Sequence, residues 1–368
     1  MLGDLGEAWV ITRANNRPAI ERSLVTDPLP NVNFIYVDLP PWARRWKRGQ
    51  RGVRLYYVLW QGAALREARR LSKEKVFDLA WHLTLANAWI GSVAGIIGVP
   101  FIYGPVGAGV GTPWRLAAGL GGRGILYEAT RAAARVAGRY LNPLARLSWR
   151  RAELILAQNE ETKHWFPRRH RAKCQVFPHI VLSDLPEPPR ERAQHVMLFV
   201  GRLLPWKGAF LAIRALEALP EWRLIVCGDG PDAMRLLRLA TRLGLMDRVE
   251  FRGWVEHGEV LRTMREDASV FVFPSLHDEA GWVVVEAMAA GLPVVCLDAG
   301  GPPSLAGDGL AVTPSGTSKT VEHIAERVLQ AAQQDPELPR IRVHEFQYDA
   351  RLERLHSLLT RALNPRQS

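Results

Sequence analysis

The sequence of 368 residues is poor in cysteine and, among its cations, poor in lysine. Its three cysteines, Cys174, Cys227 and Cys296, are odd in number, far apart and in no CxxC pair. That spacing argues against a structural disulfide or zinc knuckle and makes a reducing cytosol the expected compartment. Lysine occurs 7 times against 41 arginines, which reads as compositional bias as much as selection for a ligand. GxGxxG is missing, so nothing supports a dinucleotide cofactor. RNA-binding signatures of the RRM or KH type are missing too, as is any spaced Cys/His set, which weakens a nucleic-acid reading of the basic charge. The opening MLGDLGEAWV has no basic leader and carries Asp4 and Glu7, unlike a signal peptide. No charge occurs between residues 83 and 114, but seven glycines and three prolines cut that run into pieces too short for a bilayer. It reads instead as a buried helix over 85–97, a strand over 99–103 and a glycine loop.

What is present is a chain 48% hydrophobic and 23% charged, with a formal charge of +11. Length and composition exclude a disordered or collagen-like chain and suggest two domains, each with its own core. The charge is uneven: residues 1–185 hold 27 Lys and Arg against 13 Asp and Glu, residues 186–368 hold 21 against 24. The basic excess concentrates in 42–70 and 115–151. The first stretch interleaves Trp42, Trp46, Tyr56, Tyr57 and Trp60 with Arg44, Arg45, Lys47, Arg48, Arg51 and Arg54. Such a mixture suits an anionic membrane surface, and equally a solvated helix whose aromatic side chains face the core.

From Val196 onward, apolar runs alternate with helical patterns: 196–200, 222–227, 248–251, 269–273 and 293–297 read as strands. Strands apolar throughout and separated by helices indicate a parallel sheet covered on both faces. The first half shows the same grammar at 8–12, 33–39, 77–83, 99–103 and 152–157. The expected fold is α/β, two Rossmann-like domains facing across a cleft: 1–182, a proline-rich linker over 183–195, then 196–342, followed by a helical tail over 343–368. In such a pair the ligand lies between the carboxyl ends of the two sheets.

Four segments follow strand ends of the second domain. GRLLPWKG (201–208) offers Gly201 for a tight turn and Arg202 and Lys207 as cations suited to a diphosphate, or simply as solvated loop charges. CGDGP (227–231) has Gly228 and Gly230, which let backbone amides approach an anion, or serve a plain turn. PSLHDEAGWVVVEAMAAGLPVV (274–295) places Asp278 in a loop and Glu286 in the next helix, which Gly281 opens beside Trp282. The two carboxylates suit sugar and ribose hydroxyls, with a phosphate near the helix start. LDAGGPPS (297–304) brings Gly300 and Gly301, which expose amides or only turn the chain.

These motifs, in this order and spacing, resemble the retaining glycosyltransferases of family 4, which have the GT-B fold. The resemblance is strong over 196–312 and looser over 343–359, similar to the family's C-terminal helix that returns to the N-terminal domain. It implies transfer of a sugar from a nucleotide-diphosphate sugar with retention of configuration, with no metal and no further cofactor. Arg202 and Lys207 would stabilise the departing diphosphate, Glu286 would hold the donor ribose, and Asp278 or Glu279 would hold the donor sugar. Gly201, Gly228, Gly230, Gly281, Trp282, Gly300 and Gly301 would line the donor site. In the first domain His82 stands near the family's cleft histidine, although a buried structural histidine fits as well. Gly104, Gly107 and Gly109 of GPVGAG would bring backbone near donor or acceptor.

One departure lies at the start. GDLGEAWVIT reads as the end of a first helix entering a second strand, so a first strand and glycine-rich loop of about 30 residues are expected to be missing. The expected activity is extension of a lipid-linked glycan or polysaccharide precursor at the cytoplasmic face of the membrane. The alternative is a non-catalytic GT-B protein that binds nucleotide-sugar or a partner transferase. Another GT-B chemistry, nucleotide-sugar epimerisation, fits the acidic segment less well.

Overall fold

A computed structural model describes residues 1–44, 52–83, 87–182, 185 and 193–363. In the first half the strands are β1 Ala8–Arg13, β2 Val32–Val37, β3 Ala80–His82, β4 Phe101–Val106, β5 Ala152–Ala157 and β6 Cys174–Val176. Its main helices are α1 Arg17–Thr26, α2 Val53–Glu74, α3 Gly121–Leu141, α4 Pro143–Arg151 and α5 Glu160–Trp165. The second half holds β7 Val196–Val200, β8 Arg223–Cys227, β9 Val249–Gly253, β10 Val270–Phe273, β11 Val294–Leu297 and β12 Ala311–Val312. Between and after these strands run α6 Ala209–Ala215, α7 Ala233–Arg242, α8 His257–Glu266, α9 Trp282–Ala289, α10 Thr317–Ala331 and α11 Tyr348–Leu363.

The second-domain sheet is wholly parallel, in the order β12-β11-β10-β7-β8-β9. Its central strands are buried on both faces because helices cover both, which is why they read as unbroken apolar runs. Val196, Leu198, Ile225, Phe271 and Val295 form the centre of its core. Leu116 and Leu120, just before α3, are buried in that same core. The turn that leads into α3, Trp114–Leu120, therefore belongs to the packing of the other domain.

In the first half the parallel strands form two sheets among the described residues, β1-β2 and β3-β4-β5-β6. All residues of β1 and of β3 line one cavity of about 890 Å³, together with Trp60 and Leu71 of α2 and Leu359 of α11. α11 packs Leu355 and Leu359 against Ile102, Leu154 and Leu156, so the C-terminal helix does return to the first domain. Arg351 is buried in that joint, its guanidinium 3.7 Å from the centre of the Phe177 ring.

Three expectations need correction or qualification. No helix forms over 87–97, only a short turn at Ala94–Ile96. Gly91, at φ +86°, passes so close to α4 that a Cβ there would stand 2.5 Å from the Ala145 nitrogen. Tyr56, Tyr57 and Trp60 face inward around Leu39, so these members of the 42–70 stretch are core, while Trp42 is 73% exposed. Residues 45–51, with Arg45, Trp46, Lys47, Arg48 and Arg51, lie outside the described residues, as do 183–184 and 186–192 of the expected linker. The three cysteines are buried free thiols.

Candidate active site

The chemistry-bearing loops of the second domain are drawn together by close backbone approaches. Gly208 caps α6 at φ +76°, and a Cβ there would lie 1.9 Å from the Pro274 carbonyl oxygen. The Leu276 N–H donates to the Trp206 carbonyl at 2.8 Å, joining the loop after β7 to the loop after β10. The result is an ion pair between the Lys207 ammonium and Asp278 Oδ2, both side chains mostly buried. Lys207 also sits 5.2 Å from the centre of the Phe273 ring. Arg202 is exposed nearby in sequence and, among the described residues, has no side-chain partner.

Gly281 opens α9 at φ +78°, as expected. Glu286, in the second turn, accepts from His257 Nε2 at 3.0 Å. Trp282, 40% exposed, donates its indole N–H to His179 Nε2 at 2.9 Å. Burial pushes the His179 pKa down, which suits an acceptor nitrogen on a neutral ring.

The two candidate acids part company here. Asp278 faces Lys207, whereas Glu279 turns into the first domain. Its Oε2 accepts from Thr162 Oγ1 at 3.1 Å and its carbonyl accepts from Asn159 Nδ2 at 2.6 Å. Burial raises the Glu279 pKa, against the opposing pull of the Ala108 backbone N–H and Thr162. Gly107 makes room for it: a Cβ there would come within 3.0 Å of the Glu279 Cγ and 3.1–3.2 Å of its carboxyl group. A Cβ on Gly109 would stand 2.4 Å from Thr162 Cα. GPVGAG thus reaches the cleft, although Gly104 serves the first sheet, its carbonyl accepting from the Trp81 indole at 2.6 Å.

The glycine amides expected to face an anion are already bonded. Gly228 N–H donates to Gly253 O, Gly230 to Asp229 Oδ1 and Gly301 to Asp278 O. Gly300 donates at 3.0 Å to Glu161 Oε2, whose other oxygen accepts from Gly111 N–H at 2.7 Å. These glycines are needed for loop contact instead: a Cβ on Gly228 would meet Gly201 O at 2.0 Å, and one on Gly300 would meet Asp278 O at 2.3 Å. A glycine that admits an anion and one that admits a neighbouring loop look alike in sequence.

His82 is placed on β3 with its ring edge-on to Tyr57 and Tyr103 and its Nε2 2.8 Å from the Tyr57 hydroxyl. It lines the cavity between β1 and β3. Among the first-domain side chains that meet the loops of the second domain are Tyr127, Glu128, Asn159, Glu161, Thr162 and His179, none of which the motifs named. One local signal was available: Asn159 caps α5 through Thr162 N–H, and Asn-x-x-Thr after an apolar strand marks a helix start at a strand's carboxyl end. Among the described residues no three His, Cys, Asp or Glu side chains gather as a metal-ligand set, and no helix is long and apolar enough to cross a membrane.

Residues 184–345 match the family model of the glycosyl transferases group 1. Over 111 residues the chain is 39% identical to an uncharacterized glycosyltransferase of Methanocaldococcus jannaschii, covering 29% of this chain and 28% of that one. Over 127 residues it is 38% identical to the D-inositol 3-phosphate glycosyltransferase of Mycobacterium bovis, covering 33% and 26%. The matches thus span under a third of these relatives.

Whole-chain likeness comes from structure. The lipopolysaccharide outer core galactosyltransferase WaaB aligns with TM-score 0.64 and 15% identity over 96% of this chain and 98% of its own. Anabaena HepE, in complex with UDP and glucose, aligns with TM-score 0.61 and 18% identity over 96% and 99%. The protein therefore has the GT-B fold, two Rossmann-like domains with a C-terminal helix crossing back. Within it, the second domain resembles the group 1 glycosyltransferases.

Proposed function

We propose that the protein is a glycosyltransferase that moves a sugar from a nucleotide-diphosphate sugar to a lipid-linked glycan acceptor, retaining anomeric configuration and using no bound metal. The observation that carries this reading is the Lys207–Asp278 pair, set between the Arg202 loop and the helix start at Gly281, inside the segment that matches the family. The pair suits an exchange of partners. The donor diphosphate takes the Lys207 ammonium, while sugar hydroxyls donate to the freed Asp278 carboxylate. Arg202 and Lys207 then meet the negative charge that grows on the leaving diphosphate oxygen, the kind of charge stabilisation that dominates acyl- and phosphoryl-type transfers. Glu286 holds the ribose hydroxyls. Glu279, turned away, serves the joint between domains.

The membrane acceptor rests on α3. Its outward side carries Leu126, Val136, Tyr140 and Leu141, all exposed, with the exposed Arg123 beside them. An apolar stripe with a cation beside it suits an anionic lipid surface, and such a surface on the cytoplasmic face would present a polyprenyl-diphosphate acceptor. The direct test is nucleoside diphosphate release from candidate sugar donors, beginning with UDP-glucose, with and without Lys207.

A second reading is favoured by one contact. Glu161 occupies the Gly300 amide, as Asp278 occupies Lys207, so the site is satisfied from within. In a non-catalytic GT-B protein the nucleotide-sugar would bind without release of diphosphate, and the same assay separates the two readings.

A further inference from the structure

We propose that α3 is a clamp on the reacting pair: its adjacent residues Tyr127 and Glu128 grip Trp206 and His277, the residues immediately before Lys207 and Asp278. This rests on the transferase reading for its catalytic meaning, but the grip itself is read from geometry. The Tyr127 ring stacks on Trp206 with centroids 4.2 Å apart and planes 8° apart. Trp206 in turn stacks on His277 at 5.6 Å and 14°. Glu128, fully buried, holds His277 Nε2 at 2.5 Å through Oε1.

The other Glu128 oxygen is fixed from the first domain. Oε2 accepts from Thr112 Oγ1 at 2.5 Å and from Arg131 Nε at 3.1 Å, and Arg131 Nη2 donates to Thr112 at 3.2 Å. Thr112 and Arg131 therefore orient the carboxylate before it meets the second domain. The helix is brought close by Gly124, where a Cβ would approach Pro205 Cβ at 3.0 Å. The turn that leads into it, Trp114–Leu120, is anchored by Leu116 and Leu120 in the second-domain core and by Arg235 Nη1 donating to Gly119 O at 2.6 Å. One face of α3 thus reaches both loops that carry the pair, and its opposite face is the apolar stripe proposed to meet lipid. Tyr127 and Glu128 are positioning residues. They act through the two residues beside the pair.

The test uses the full chain and the variants Tyr127→Ala, Tyr127→Phe and Glu128→Gln, followed by hydrogen–deuterium exchange. Tyr127→Ala and Glu128→Gln should speed exchange about tenfold in peptides covering 205–208 and 275–281 and leave the β8 peptide at 223–227 unchanged. Tyr127→Phe should restore the slow exchange. With UDP-glucose as probe, hydrolysis kcat should fall about tenfold in Tyr127→Ala with KM nearly unchanged, as expected when reacting groups are misplaced and binding is kept. Unchanged exchange in both loops overturns the clamp, and so does a uniform increase through the second-domain sheet, which would make α3 a general brace. No UDP-glucose turnover by the parent chain counts against the transferase reading with this donor and leaves the exchange result to decide the clamp.

Discussion

Lys207 and Asp278, 71 residues apart in sequence, meet as an ion pair where the loops after β7 and β10 close on each other. Each is the other's partner in the unliganded protein, and each is proposed to trade that partner for part of a sugar donor. Lys207→Ala should therefore abolish glycosyl transfer, by 10²-fold or more on the usual scale for a charge-stabilising group. The pair is partly solvated, so stability should fall by only about 1 kcal/mol. Parallel activity and thermal-melting measurements check this. Loss of fold together with activity would move Lys207 from chemistry to structure. Arg202→Ala should behave the same way with a smaller change in melting, because Arg202 is exposed.

Gly208→Ala tests how the pair is assembled. The new Cβ would enter the Pro274 carbonyl at a φ of +76°, so the two loops must separate. We expect a destabilisation of about 1–3 kcal/mol and loss of transfer. Melting and UDP-glucose turnover read the two effects separately. Wild-type turnover would show that loop closure is not needed.

His170 supplies a pH signature unrelated to catalysis. It is buried beside Trp149, and burial, with Lys173 and Arg169 nearby, lowers its pKa from 6.5 to about 4. The unfolded chain therefore binds the proton more readily than the folded one between these values. His170 costs no stability above pH 6.5, and stability is lost as pH falls from 6.5 toward 4. In His170→Gln that part of the acid destabilisation should disappear. Denaturant midpoints at pH 7 and pH 5 measure it, and an identical difference in both proteins would refute the assignment.

The outward stripe of α3 predicts lipid binding. Vesicles with anionic lipid should sediment the protein, zwitterionic vesicles should not, and raised salt should weaken the interaction. Leu126→Glu with Tyr140→Glu should release it without moving the melting temperature, since both side chains are exposed. Sedimentation unaffected by these changes would place the membrane contact elsewhere.

How much of this could be read in advance follows from how local each signal is. β7 was legible to its ends because Val196–Val200 is apolar throughout, as a strand covered on both faces must be. The helix start at Gly281 and the place of Glu286 followed from spacing along one segment. The first domain was harder. β1 and β2 are only half-buried, and the aromatic residues of 42–70 divide between core and surface, with Tyr57 inside and Trp42 outside. Gly91, Gly95 and Gly98 broke a run that hydropathy alone reads as a helix. The contacts between domains were mostly illegible. Glu128 and His277 are 149 residues apart, and although His277 lies in the 274–295 motif, nothing in the sequence ties it to Glu128. What faces Asp278 and Glu279, Lys207 for one and Thr162 for the other, was likewise not legible in the sequence.

Lys207 and its acidic partner are proposed to release a diphosphate from a sugar donor. The most direct measurement is nucleoside diphosphate production by the purified chain from a panel of UDP-, GDP- and ADP-sugars, with Lys207→Ala alongside. Release from one of these donors is expected, with its loss in the variant while the variant stays folded. No release from any donor, or equal release by the variant, would contradict it.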